Sequence, residues 1–317
     1  MTSPEDALGR RFVELAPAAA ALPLPAGGQT LERWRGLAAV AAEDLSLAKL
    51  FESHADALAI LAELDVPVAA GTRWAVWAAE PPQARLAIRP AGAGLLLTGR
   101  KAWCSGADLI SHALVTGWLP DGRQQLAAVA LDQPGIECQP AVWQAVGMGR
   151  VCTPDLDFDE VPAEPVGRPG QYLDRPGFWH GGCGIAACWY GGTLPLADAL
   201  ADRAGQRDDP HLLAHLGAVD VALRSLRALL VETAGWLDAH PAAVATEPAL
   251  RLRAAADSTA RLVLDAAGRA LGAGPLCRER RLARQFADLP VFIRQTHAER
   301  DLAELARLVA ADPGWAL

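Results

Sequence analysis

Apolar and polar positions change their period twice along this 317-residue chain. Over 31–64, LERWRGLAAVAAEDLSLAKLFESHADALAILAEL places leucine and alanine at helical spacing, which predicts a helix. Asp65, Pro67 and Gly71 end it. From 72 to about 165 the runs shorten to TRWAVWAA, RLAIRP, GLLLTGRKAWCS, HALVTGWL, QLAAVAL and GIECQP. Turn-forming PP, AGAG, DG and QPG separate them, so this stretch reads as a β domain of six or more strands. A Gly/Pro-rich crossing fills 166–178, and helical spacing then returns over 179–204, 211–238, 246–271 and 290–311. Three blocks follow: helical 1–71, β 72–165 and helical 166–317. The order is α+β, with N-terminal helices, a central β domain and C-terminal helices long enough for a four-helix bundle.

Composition narrows the class. The chain is 51% hydrophobic, enough for a sizeable core. It carries 29 Lys+Arg against 37 Asp+Glu and no basic tract, which argues against nucleic-acid and anionic-membrane binding. Only two residues are lysines, Lys49 and Lys101. The apolar PAAAALPLPAGG at 17–28 is punctuated by proline and reads as a loop or linker, too short to span a bilayer. No signal-like start is evident, so a cytoplasmic protein is expected. The helix 211–238 is apolar on more than one face, which implies burial from several sides, by its own subunit or by another.

Candidate chemistry is sparse. No HExxH, GxSxG, GxxxxGK[ST] or CxxC occurs, and no metal site is expected. His211 and His215 share a helical face without a third ligand. His297 and Asp301 are also four apart, in a charged stretch suited to local ion pairs. Cys183 and Cys188 are five apart on GGCGIAACWYGG, a poor spacing for a disulfide, and pairing of a thiol with His180 is weakly suggested. In LLLTGRKAWCSGA at 95–107, a continued strand places Trp103 and Ser105 on one face and Cys104 on the other. That pair suits either a flat heteroaromatic ring or the edge of a sheet core. Cys104 reads as a buried thiol.

Three segments in this order resemble the acyl-CoA dehydrogenase flavoproteins: WAVWAAEPP at 74–82, LLLTGRKAWCSGA at 95–107, and GRALGAG with RERRLARQFAD within 268–288. The resemblance covers nearly the whole chain and implies that family's fold, with a β-barrel-like middle and a helical bundle. It implies FAD in a cleft between β domain and bundle. Trp103 would lie beside the flavin and Ser105 near its reactive nitrogen. The backbone from Trp77 to Ala79 would lie at its pyrimidine end, Gly272 near the dinucleotide part of another subunit's flavin, and Arg203 at the family's cofactor-contacting arginine.

The departures carry as much information. The first helical block is shortened, Ala79 replaces the family's threonine, and the glutamate that serves as base has its counterpart near Ile293, with Arg294 beside it. Neither side chain removes an α proton at neutral pH. The resemblance names a second place for such a glutamate, on the first bundle helix; that region reads RPGFWHGGCG, and His180 is the one group there whose chemistry suits the task. The resemblance therefore implies a flavin-dependent oxidoreductase with an atypical substrate or base, acting on an acyl thioester or another small organic molecule. A non-catalytic scaffold and a flavin monooxygenase are the alternatives. The apolar helix faces and the expected place of Gly272 predict a homodimer or a dimer of dimers. Mass in solution at micromolar concentration checks this, and a clean monomer would count against it.

Overall fold

A computed structural model describes residues 4–139, 142–310 and 314–315. Pro140, at the end of one expected strand, and Ala311, at the end of the last expected helix, lie outside the described residues. Three helices come first: α1 (Pro4–Ala20), α2 (Thr30–Glu43) and α3 (Leu45–Glu63). Seven strands follow: β1 (Trp74–Trp77), β2 (Leu86–Ala91), β3 (Gly94–Lys101), β4 (His112–Trp118), β5 (Gln124–Ala130), β6 (Ile136–Gln139) and β7 (Asp155–Val166). The remaining helices are α4 (Gln171–Asp174), α5 (Gly177–Ala204), α6 (Pro210–Ala239), α7 (Thr246–Leu271), α8 (Ala273–Arg278), α9 (Arg280–Phe292) and α10 (Glu299–Val309).

The expected helix over 31–64 is two helices. Asp44 takes an extended conformation and closes α2, while its carboxylate accepts the Leu47 N–H at 3.0 Å and starts α3. A short acidic side chain at a helix N-cap outweighs the unbroken apolar spacing around it. The last expected helix, 290–311, is also broken. Proline sits inside the end of α9, a 3-10 turn spans Ile293–Gln295, and α10 begins only at Glu299. His297 donates its N–H to Asp301 and so lies ahead of α10, not on its face. The ends of α6 and α7 fall within a residue of the expected ones. Asp209 caps α6 through the N–H groups of His211 and Leu212, and Pro210 occupies the first turn, where its missing N–H costs nothing. Strand β7 has no counterpart among the expected strands.

The chain divides into two compact units that cut across the block order. One comprises Met1–Leu22, Lys49–Ala145 and Gly149–Phe178, and the other Pro23–Ala48, Val146–Met148 and Trp179–Leu317. In the first, the sheet runs β1-β4-β2-β3-β7-β5, and β4 pairs again with β5, closing a small barrel. Strand β3 alternates buried and exposed residues along much of its length, as a strand with one face inside should. Helix α3 covers part of the barrel: Ala57, Ile60 and Leu61 pack with Trp74, Leu114, Leu126 and Val166. His54, on the same helix, is buried, accepts the Trp74 N–H at Nδ1 and meets Phe12 of α1 edge to face.

In the second unit, glycines of α5 admit the backbone of α2. A Cβ on Gly191 would fall 2.1 Å from the Ala38 carbonyl oxygen, so only glycine fits. Helix α9 joins through Gln285, whose amide donates to the Gly192 carbonyl at 2.6 Å. Asp238, near the end of α6, accepts the Gly28 and Thr30 N–H groups and the Thr30 hydroxyl where α2 begins. Among the described residues no helix is long and apolar enough to cross a membrane.

His54 makes the first unit acid-sensitive. Burial, helped by the Arg73 charge, lowers its imidazole from 6.5 to about 4. Above 6.5 the ring is neutral folded or unfolded and contributes nothing to the pH dependence. As pH falls from 6.5 toward 4, the unfolded chain binds a proton that the folded chain refuses, so stability declines by at most about 1.4 kcal/mol per pH unit. His54→Asn keeps an acceptor for the Trp74 N–H without a titrating ring. Thermal melts across this window should fall less steeply for the variant than for the wild type.

Candidate functional site

Strand β3 ends at Lys101, and the segment after it is a turn, not the strand on which Trp103 and Ser105 were expected to share a face. The cause is local. Cys104 donates its N–H to Pro154 O at 2.8 Å and Gly106 donates to Cys152 O at 2.7 Å, while Ser105 N–H folds back onto Trp103 O at 3.0 Å. Gly106 has φ +74, and a Cβ there would overlap Leu50 Cδ2. Trp103 also sits in the left-handed region, at φ 60, with its N–H directed to Asp155 at 3.3 Å. For a bulky L-residue this backbone costs roughly 1–2 kcal/mol. The indole does not recover that cost by burial, because Trp103 is 62% exposed.

Residues around this turn are tightly tied. Trp77 is buried, and its indole N–H donates to the Ser105 carbonyl at 3.1 Å. The Ser105 hydroxyl accepts from Thr153 at 3.2 Å. Ala79, two residues past Trp77, is half-buried on the segment leaving β1, and among the described residues no hydrogen bond reaches its backbone. Trp77, Ala79, Trp103 and Ser105 thus belong to one region of the first unit.

In the same unit Glu80, Lys101 and Thr116 form a hydrogen-bonded cluster that no sequence motif marks. Lys101 is 1% exposed. Its ammonium donates to Glu80 Oε1 at 2.7 Å and to the Thr116 carbonyl and hydroxyl oxygens, both at 2.8 Å. The Thr116 hydroxyl donates to Glu80 Oε1 at 2.6 Å, and the Trp118 indole N–H to Glu80 Oε2 at 3.0 Å. Burial pulls the Lys101 ammonium below its ordinary value, while the Glu80 carboxylate opposes that shift. The available signal was one of only two lysines, set between Arg100 and an apolar Ala-Trp.

The other candidates lie in the second unit. His180 occupies the first turn of α5, buried to 2%, with Nε2 donating to the Ala243 carbonyl at 2.9 Å. Arg203 is in the last turn of the same helix, roughly 34 Å away at 1.5 Å per residue. Gly272 ends α7 with φ 67 and ψ −167, a conformation open essentially to glycine alone. Ile293 is buried in the 3-10 turn, and Arg294 pairs with Asp257, which also accepts from Arg261 at 2.9 Å. Arg253, one helical turn before Asp257, donates to the Gly182 and Gln295 carbonyls and lies over the Trp189 ring.

All six cysteines are free, and among the described residues no group of three His, Cys, Asp or Glu is placed to hold a metal ion. Cys104 is fully buried, as the strand pattern suggested, and donates to the Lys101 carbonyl; burial pushes its thiol far up. Cys183 is pushed up to about 12 for the same reason.

No family model matches this chain, and no characterised protein sequence does. Solved structures do match. KijD3, in complex with FMN and dTDP-3-amino-2,3,6-trideoxy-4-keto-3-methyl-D-glucose, superposes with a TM-score of 0.80 at 21% identity, over 98% of this chain and 88% of that one. Methanesulfinate monooxygenase MsuC from Pseudomonas fluorescens gives 0.77 at 19%, over 100% and 99%. Glutaryl-CoA dehydrogenase from Mycobacterium smegmatis gives 0.81 at 15%, over 96% and 87%. The chain has the acyl-CoA dehydrogenase-like fold that the three segments implied.

Thiol accessibility tests the local geometry. In the native protein Cys138 and Cys277 should alkylate quickly, because both are exposed. Cys104, Cys183 and Cys188 should react only after unfolding. Rapid labelling of Cys104, read by peptide mass, would show that the turn after β3 does not seal its thiol.

Proposed function

We propose that this protein is a flavin-dependent oxidoreductase working as a monooxygenase on a small organic substrate. The observation that carries the reading is Trp103: a large aromatic ring held in a strained backbone and presented to solvent. Strain of this kind is kept where the surroundings over-determine it and function uses it. A flat, exposed indole beside a hydroxyl and a half-buried, unpartnered peptide suits a planar heteroaromatic ring with polar edges. The residues present therefore fit a flavin. Trp103 would lie along the ring, Ser105 would offer its hydroxyl, and the Ala79 backbone would meet a polar edge.

The fold supports this class, and two of the similar structures bear on its chemistry: KijD3 is described with FMN, and MsuC is a monooxygenase. A reduced flavin supplies the electrons that let dioxygen transfer one oxygen atom to a substrate and leave the other as water. Such chemistry needs no carboxylate to take an α proton. At the two places the resemblance names for a base, the chain has Ile293 with an ion-paired Arg294, and His180 with its Nε2 proton on a backbone oxygen. This arrangement supports oxygen transfer over thioester dehydrogenation. The resemblance implies FAD, while KijD3 is described with FMN, so titration with each decides between them.

Trp103→Gly separates strain from function. Glycine relieves the left-handed backbone, so melting of the flavin-free protein should be unchanged or slightly higher. Flavin affinity, followed by fluorescence quenching, should fall by about tenfold, the size expected when an aromatic contact and its buried area are lost. The wild-type protein should consume oxygen when given reduced flavin, and its bound flavin should stay oxidised under anaerobic acyl-CoA thioesters. A wild-type chain that binds neither FMN nor FAD would sink the reading and favour a scaffold.

A further inference from the structure

The cluster under the turn does more than fill the barrel. On one side Thr116 pairs with Leu126 of β5; on the other it falls between Val115, the last β4 residue facing β1, and Trp118, which faces β2. The ladder is interrupted there, and the Lys101 ammonium takes the Thr116 carbonyl that lies at the interruption. All three ammonium protons have acceptors, and both Glu80 oxygens have donors. An apolar plug would close the same gap without taking charges out of water, and buried ion pairs often contribute no more stability than such a plug. What the charged cluster adds is direction. Glu80 is the residue after Ala79, and Lys101 lies two before Trp103. Together with the Trp77 bond to the Ser105 carbonyl, the pair fixes the two segments at the points where they leave the barrel strands.

We propose that the Lys101–Glu80 ion pair is a positioning element for the flavin. Through Glu80 it sets the Ala79 peptide, and through Lys101 the turn carrying Trp103 and Ser105, so it governs flavin affinity and electronic environment separately from barrel stability. This rests on the flavin reading of the site.

The test uses the full chain with FMN or FAD as the probe. Lys101→Met should lower the melting temperature sharply, because it leaves Glu80 without its cation. The neutral pair Lys101→Met with Glu80→Gln should recover most of that loss. Flavin affinity should not recover: both variants should bind about tenfold or more weakly than wild type, with the visible flavin band and midpoint potential shifted. If the double variant binds flavin as the wild type does, with band and potential in place, the pair is structural only and the proposal fails. Should the double variant not fold, Thr116→Val removes the hydroxyl bridging both charges at nearly constant volume. Weaker binding with a shifted band is then expected, and unaltered binding overturns the proposal. A wild-type chain that binds neither flavin overturns the flavin reading and this proposal together, whereas equal binding by wild type and variants overturns only the positioning role.

Discussion

The buried pairing of Lys101 with Glu80 is the constraint on which the candidate site depends. An ammonium with 1% exposure is tolerable only if every proton is accepted and a counter-charge is in contact. Those requirements specify geometry. Glu80 must come off β1 at the right angle, Thr116 must sit where the ladder on β4 is interrupted, and Trp118 must turn its indole inward. Arg85 then lies over the Trp118 ring, 5.0 Å from its centre. Glu80, Lys101 and the Thr116–Trp118 segment come from three different stretches of the barrel unit, so no local preference alone arranges them.

Strain at Trp103 follows from this arrangement. With Lys101 anchored at one end and Gly106 bonded to Cys152 at the other, only four residues remain to reverse the chain. Cys104 uses its N–H on Pro154 and its thiol on the Lys101 carbonyl, which leaves the left-handed conformation to Trp103. The indole is thereby turned outward. A relaxed strand over the same residues would have left Ser105 and Trp103 flanking the sheet, as the alternation alone suggested.

The parts legible in the sequence are those governed by local chemistry. Helices α6 and α7 have long periodic runs with a capping Asp209 and a terminating Gly272, and their ends were read to within a residue. Six strands were visible from their turn residues. Strand β7 was not, because DLDFDEVPAEPV carries five acidic residues and two prolines on a strand whose inward positions are only Leu156, Phe158, Val161, Ala163 and Val166. Its partners on β3 and β5 supply what its own composition lacks. The break at Asp44 was hidden for the opposite reason, since a single cap interrupts an otherwise continuous apolar period. At the site, the aromatic and hydroxyl residues were legible as types, while the charged cluster was not. Glu80 and Lys101 are 21 residues apart, and nothing in either segment reveals that they meet.

In the second unit, α7 anchors the turn that the resemblance assigns to the base. At the turn where the resemblance places a carboxylate, buried Ile293 is followed by Arg294, and α7 holds the turn from two sides: Arg253 through the Gln295 carbonyl and Asp257 through the Arg294 guanidinium. Arg253 also reaches the Gly182 carbonyl of α5. Asp257 is shared by Arg261 and Arg294, so it joins α7 to the turn after α9. The contacts at this turn are ion pairs and backbone hydrogen bonds. On the barrel unit the Trp103 indole is exposed, the Ser105 hydroxyl accepts from Thr153, and among the described residues no hydrogen bond reaches the Ala79 backbone. Under the proposed reading, a surface suited to a planar cofactor together with a turn held by ion pairs is what flavin-dependent oxygen transfer calls for, since that chemistry needs no carboxylate to take an α proton.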